Sequence, residues 1–84
     1  MITGFRIPKN VGYSGKFGEW LFFKIKELGY TQTSFGKLVG ISREQISNQI
    51  HQKCKPNRTS VVAYCYYTGD NPEEIWKLVE EDWG

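Results

Sequence analysis

The spacing of apolar residues changes near residue 16. Before that point, apolar side chains alternate loosely with polar ones, at Phe5, Ile7, Val11 and Tyr13. Glycine and proline are frequent in the same stretch and disfavour a helix. The pattern therefore predicts an N-terminal arm or short strand over residues 1–15, followed by a helical domain over residues 16–84.

The first predicted helix starts at Lys16, where apolar residues begin to recur every three or four positions. This period is typical of an amphipathic helix. Its inner face is expected to hold Phe17, Leu21, Ile25 and Leu28, with Trp20 beside them. Gly29 follows and is expected to end the helix.

Two short helices are predicted next, separated by only three residues. Thr31 is a suitable N-cap for the second helix, and Gly40 suits the left-handed residue that ends it. Ser42 and Gln45 fit a capping box at the start of the third helix. A connection this short holds two helices at a steep angle, which is the helix-turn-helix arrangement. The expected inner faces are Phe35, Leu38 and Val39 in the second helix, and Ile46 and Ile50 in the third, with Ile41 packed against Ile46.

Residues 61–68 favour a strand by propensity, because they are β-branched and aromatic. The positions of Val61, Tyr64 and Cys65 nevertheless share a helical face, so we predict a fourth helix capped by Asn57. A fifth helix is expected after the cap and proline of Asn71 and Pro72. Its buried stripe would hold Ile75, Leu78 and Val79, with Trp76 and Trp83 beside it.

Residues 31–42, TQTSFGKLVGIS, resemble the Thr-Gln-x-x-Leu-Ala-x-x-Leu-Gly-Val-Ser segment of the phage repressor and Cro-type (lambda-repressor-like, XRE) helix-turn-helix family. The similarity continues through Gln45, Ile46, Ser47, Lys53 and Pro56. It implies an all-α fold: a five-helix lambda-repressor-like helix-turn-helix domain with a short N-terminal arm or strand. It further implies a sequence-specific transcriptional regulator, a repressor of phage, prophage or bacterial origin, that acts as a homodimer on an inverted repeat.

The chain departs from this family at three places. Gly36 stands where the family has alanine, which keeps the helices close but weakens the second helix by about 1 kcal/mol. Ile50, His51 and Gln52 replace the usual Glu-Asn-Gly, so the third helix is expected to end differently. The long aromatic fourth helix is also unusual for the family.

Charge is unevenly distributed, although the net charge is only +2. Residues 1–29 carry five basic and two acidic side chains, and residues 30–68 carry five basic and one acidic. Residues 69–84 carry six acidic side chains and one basic. Because a polyanion attracts the first two parts and repels the third, double-stranded DNA is expected against the first two-thirds of the chain.

In this fold the third helix, residues 43–51, enters the major groove. With the isoleucines inward, the outward residues are the candidates for base contacts: Arg43, Glu44, Ser47 and Asn48. The start of the second helix offers backbone donors to phosphate, and the loop after the third helix is basic. Candidate phosphate contacts are therefore Gln32, Thr33, Ser34, Lys53, Lys55, Asn57 and Arg58. Arg6, Lys9 and Lys16 either form an arm along a groove or play no part.

A homodimer is expected because one helix reads only a few base pairs. The apolar side chains of the last helix are candidate dimer contacts: Trp76, Val79 and Trp83. An antitoxin or another protein-interaction module on the same fold is the alternative function. The polar, basic outer face of the third helix favours DNA over that alternative.

An enzyme is not expected, because the sequence lacks a Ser-His-Asp set, a Gly-rich phosphate loop and a metal-ligand cluster. No cofactor, metal or small-molecule substrate is expected either. Cys65 is interpreted as a small buried residue and Cys54 as an incidental thiol. The chain has neither an apolar stretch of twenty residues nor a signal-peptide pattern, so we expect a cytoplasmic protein with no membrane partner.

Overall fold

The computed structural model describes residues 13–84, and this part of the chain consists of five helices without a strand. The helices are α1 (Gly15–Glu27), α2 (Gln32–Val39), α3 (Arg43–Ile50), α4 (Arg58–Thr68) and α5 (Pro72–Trp83). The predicted all-α fold is confirmed for these residues, including α4, whose strand propensity is overridden by packing. Most of the predicted N-terminal arm, with Arg6 and Lys9, lies outside the described residues.

Four helices begin at the predicted side-chain caps. The Asn57 side chain accepts from the Ser60 N–H at 2.7 Å, and the Asn71 side chain accepts from the Glu73 N–H at 2.8 Å. Ser42 accepts from the Gln45 N–H at 3.2 Å. The described residues show no return bond from the Gln45 side chain, so the predicted capping box is only half formed.

A complete capping box occurs instead at the start of α2, where sequence reasoning placed only a cap. Thr31 Oγ1 accepts from the Ser34 N–H at 3.0 Å, and Ser34 Oγ accepts from the Thr31 N–H at 2.9 Å. At its other end, α2 stops at Gly40, whose φ of 78° is the predicted left-handed conformation. The boundaries of α2 are therefore fixed by local chemistry.

Every helix contributes to one core. Tyr64 lies at its centre, with its ring centroid 6.2 Å from that of Phe17 and 5.9 Å from that of Phe35. The prediction for Leu28 is wrong: α1 ends at Glu27, the chain turns there, and 42% of Leu28 is exposed. The buried apolar residues are Phe17, Leu21, Ile25, Phe35, Ile46, Ile50, Val61, Tyr64, Cys65, Ile75 and Val79.

The start of α1 is capped from the far end of the sequence. Ser14 makes no side-chain cap, and the carboxylate of Asp82 accepts instead from the N–H groups of Lys16 and Phe17, at 2.9 and 2.8 Å. The side chain of Gln52 donates to the carbonyl oxygen of Asp82 at 3.1 Å. An acidic group at a helix N-terminus is favoured by the helix dipole. These bonds hold α5 against α1 and against the loop that follows α3.

Two glycines allow helices to approach closely. A Cβ atom at Gly18 would collide with the carbonyl oxygen of Ile50, at the end of α3. A Cβ atom at Gly36 would collide with the carbonyl oxygen of Ile41, just before α3 begins. Both ends of α3 are thus held at distances that only glycine permits.

Candidate nucleic-acid interface

The outer face of α3 carries the four residues predicted to contact bases. Arg43 and Glu44 are exposed, and Ser47 and Asn48 are half-buried. No ion pair joins Arg43 to Glu44 in the described part of the chain, although their neighbouring positions made such a pair a plausible alternative role. Because residues three or four apart lie on the same side of a helix, the four residues share one surface of α3.

The inner face of α3 fixes the direction of that surface. Ile46 and Ile50 are fully buried, as predicted. Gln49 is also buried, and its side-chain oxygen accepts from the hydroxyl of Tyr64 at 2.6 Å. Burial raises the pKa of Tyr64, so its hydroxyl keeps the proton that it donates. Sequence reasoning missed this bond, although a polar residue between two inward isoleucines was a usable signal.

The end of α3 is held in an unusual backbone conformation. Gln52 has a φ of 59°, the left-handed region that a non-glycine residue rarely adopts. The Gln52 side chain bonds to Asp82, which offsets part of the conformational cost. The end of α3 is thus tied to α5.

At the start of α2, two backbone donors remain for a ligand. The N–H of Ser34 and its hydroxyl are occupied by the capping box with Thr31, so a phosphate at Ser34 would have to displace that cap. For the N–H groups of Gln32 and Thr33, the structure of residues 13–84 provides no acceptor. Adjacent donors at the positive end of a helix favour an anion.

The cations that follow α3, in the loop and at the first residue of α4, are in two different states. Lys53 is exposed and makes no ion pair within residues 13–84. Arg58 donates to Glu73 at 2.7 Å and lies over the ring of Trp76, 5.1 Å from its centroid. Lys55 lies over the same ring at 5.8 Å. Asn57 uses its side-chain oxygen to cap α4 and keeps its amide group.

The acidic end of the chain is largely paired with cations and donors of the same molecule. Asp70 accepts from the indole N–H of Trp20 at 3.1 Å and lies 3.6 Å from Lys24. Glu81 lies 2.7 Å from Lys16, and their hydrogen bond raises the pKa of Lys16. Lys16 therefore takes part in the contact between α1 and α5, and the alternative of a DNA-binding arm stays a prediction. The exposed cations left without an ion pair in the described part of the surface include Lys37, Arg43 and Lys53.

The three candidate dimer contacts do not form one surface. Val79 has no exposed area and packs in the core, so its assignment to an interface is wrong. Trp76 is half-buried beneath Lys55 and Arg58. Trp83 is exposed near the end of α5. The periodicity that suggested an apolar stripe reflects packing inside the protomer.

Residues 13–84 contain no group of three or more His, Cys, Asp or Glu side chains placed to hold a metal ion. Cys65 is buried, as predicted, and burial raises the pKa of its thiol to about 11, whereas Cys54 is exposed. Among these five helices, none has the length and apolar character needed to cross a membrane.

The chain matches no protein-family model, no curated protein and no solved structure.

Proposed function

We propose that this protein is a sequence-specific DNA-binding regulator. In this proposal α2 and α3 form a lambda-repressor-like helix-turn-helix, and α3 lies in the major groove. The observation that carries the proposal is the outer face of α3, whose polar side chains include an exposed arginine and an amide with no internal partner in the described residues. A fully buried inner face holds that surface in one orientation.

The chemistry of the face suits base readout. Arg43 is suited to the two acceptors of a guanine, and Asn48 to the donor and acceptor of an adenine. Glu44 can accept from the amino group of a cytosine. Ser47 lies between them and can bond to any base or to the backbone. These residues would give the protein its sequence preference.

Phosphate contacts would set the position of α3 in the groove. In this proposal the N–H groups of Gln32 and Thr33 donate to one phosphate, and the exposed Lys53 and Lys55, which follow α3 in the chain, contact others. Arg58 is a weaker candidate, because a phosphate would have to replace Glu73 as its partner.

One α3 reads only a few base pairs, so we propose a homodimer on an inverted repeat. The protein would act in the cytoplasm, where the DNA of a bacterium or phage is found. Repression of transcription is the proposed outcome, because bound protein on an operator blocks access to it.

The test is selection of DNA sites from a random pool by the purified protein, followed by sequencing. An inverted repeat among the selected sites is expected. Arg43→Ala and Asn48→Ala should each reduce discrimination between the selected site and a scrambled site by about 1–3 kcal/mol per lost base contact. Lys77→Ala, which removes an exposed cation from α5, is the matched control and should leave discrimination unchanged. Recovery of no common sequence from the pool would contradict the proposal.

A further inference from the structure

A shallow cavity of about 450 Å³ opens between α1 and α5. Its apolar wall is formed by Trp20 and Phe23 of α1 and by Leu78 of α5. Phe23 is 47% exposed, although its ring also contacts Tyr13 and Phe22. A large aromatic ring beside an open apolar cavity is typical of a surface that binds another molecule.

The residues around this cavity form a stripe along α1. At 3.6 residues per turn, Lys16, Trp20, Phe23 and Glu27 lie within a sector of about 60°. The core residues Phe17, Leu21 and Ile25 lie on the other side of the helix, so the stripe takes no part in the packing of α3. We call these four residues the α1 stripe.

The side chains of the α1 stripe complement those of a second α1 that runs in the opposite direction. Consider two copies of α1 that pack antiparallel, with the two-fold axis level with the midpoint between Leu21 and Phe22. A residue before this midpoint in one copy then lies beside the residue that is equally far after it in the other copy. Trp20 then faces Phe23 of the other copy. Lys16 faces Glu27 of the other copy, about 8 Å from the centre at a rise of 1.5 Å per residue. Both pairs occur twice by symmetry.

We propose that the α1 stripe binds a second copy of this chain in this antiparallel arrangement, with each Phe23 ring entering the cavity of the other protomer. Such an isologous contact uses the same patch on both copies. The proposal rests on the homodimer of the proposed function and names the surface through which its two copies bind each other. It concerns the protein without DNA, so it can fail while DNA binding stands.

Charge selects a second copy over other occupants. The cavity is lined by two acidic and two basic side chains, so it attracts neither a polyanion nor a polycation as a whole, whereas the order of Lys16 and Glu27 along α1 matches a second, antiparallel copy. Lys16 already bonds to Glu81, but an ammonium group has three donors and can also bond to Glu27 of the partner copy. Glu27 is 69% exposed and has only the 3.5 Å contact with Lys24 among the described residues, so it is available.

The test is a charge exchange measured by sedimentation velocity over a concentration series. The unmodified protein is expected to dimerise. Lys16→Glu places glutamate against glutamate, and Glu27→Lys places lysine against lysine, so each variant alone should dimerise at least tenfold more weakly. An equimolar mixture of the two should form heterodimers, because every pair across that interface is again opposite in charge.

Two controls and one further interface variant make the result specific to the α1 stripe. Glu80→Lys makes the same charge change on exposed α5 surface away from the cavity and should not change dimerisation. Phe23→Ala should weaken the dimer without disturbing the Lys16–Glu81 bond. Tyr66→Ala removes the most exposed aromatic ring described, on α4, and should have no effect. Circular dichroism of each variant shows whether it is folded.

Several results would overturn the proposal. They are a monomeric protein at every concentration, a dimer that Tyr66→Ala but not Phe23→Ala dissociates, and a mixture of folded charge variants that stays monomeric. Arg43→Ala separates the two proposals, since it should reduce site discrimination and leave the dimer intact.

Discussion

Two surface helices, α3 and α5, use their polar side chains in opposite ways. On α5, Glu73, Glu81 and Asp82 each bond to a group on another part of the chain. On α3, the exposed Arg43 and Glu44 make no such bond within residues 13–84. Polar side chains with internal partners stabilise the fold, whereas those without them are available to a ligand. The comparison predicts that changes at the bonded side chains of α5 affect stability, and that changes on the outer face of α3 affect binding.

The largest effect is expected from Gly36→Ala, which disturbs the support of α3. Helix propensity alone predicts a gain of about 1 kcal/mol in the free energy of unfolding. The collision of the new methyl group with the carbonyl oxygen of Ile41 should outweigh this gain and give a net loss of about 1–3 kcal/mol. Urea unfolding measures the difference.

The control for this change is Lys37→Ala, at an exposed position of α2, which should alter stability by less than about 0.5 kcal/mol. An increase in stability for Gly36→Ala would show that the two backbones are farther apart than described here. That result would also weaken the support for a fixed α3 orientation.

Tyr64→Phe breaks the link between the core and α3. It removes a buried hydroxyl and leaves the side-chain oxygen of Gln49 without a donor, at a cost of about 1–3 kcal/mol. Thermal or urea unfolding should show this loss. Tyr67→Phe, at an exposed position on the same helix, is the matched control and should leave stability unchanged. Equal stability of the two variants would mean that the bond to Gln49 does not hold α3.

Asp82→Ala tests the α5 side of the comparison. Loss of the side-chain cap on α1 should lower the free energy of unfolding by about 1 kcal/mol, the usual value of an N-cap. Discrimination between DNA sites should not change, because Asp82 lies on α5. The bond that ties the end of α3 to it uses the backbone oxygen of Asp82, which the substitution keeps. The neighbouring Glu80→Ala should alter neither property. A loss of DNA discrimination with intact stability would reverse the roles assigned to the two regions.

The smallest effect is expected from Lys53→Ala, which should change DNA binding but not stability. If Lys53 contacts one phosphate, the slope of log K against log salt should fall in magnitude by about 0.9. Stability should stay within about 0.5 kcal/mol of the unmodified protein, because Lys53 is exposed and unpaired in the described structure. An unchanged slope would identify Lys53 as a solvated residue of the loop.

Most of the secondary structure was predictable because its determinants are local. The caps at Thr31, Ser42, Asn57 and Asn71 act over two or three residues, and the pattern of apolar residues fixes which face of each helix is buried. The outward placement of Arg43 follows from the same periodicity. These features could be predicted before any tertiary contact was known.

The features that sequence reasoning missed depend on distant contacts. Asp82 caps a helix that begins more than sixty residues earlier, and no local pattern indicates such a pairing. Val79 and Trp76 share a periodicity with Trp83, but the three differ in burial because α1 and the loop after α3 cover different parts of α5. The α1 stripe was overlooked because half of its residues are charged and resemble ordinary solvated positions.

The Asp82 cap also has a consequence for the order of folding. Its bonds to Lys16 and Phe17 close a loop of nearly the whole described chain, and contacts between residues so far apart carry a large entropy cost before they form. The short-range contacts of α2 and α3 have no such cost, so they are expected in the transition state, with the α1–α5 closure completed after it. Asp82→Ala should therefore accelerate unfolding while the refolding rate stays nearly constant. The lifetime of the native protein, more than the speed with which it forms, would then depend on this carboxylate.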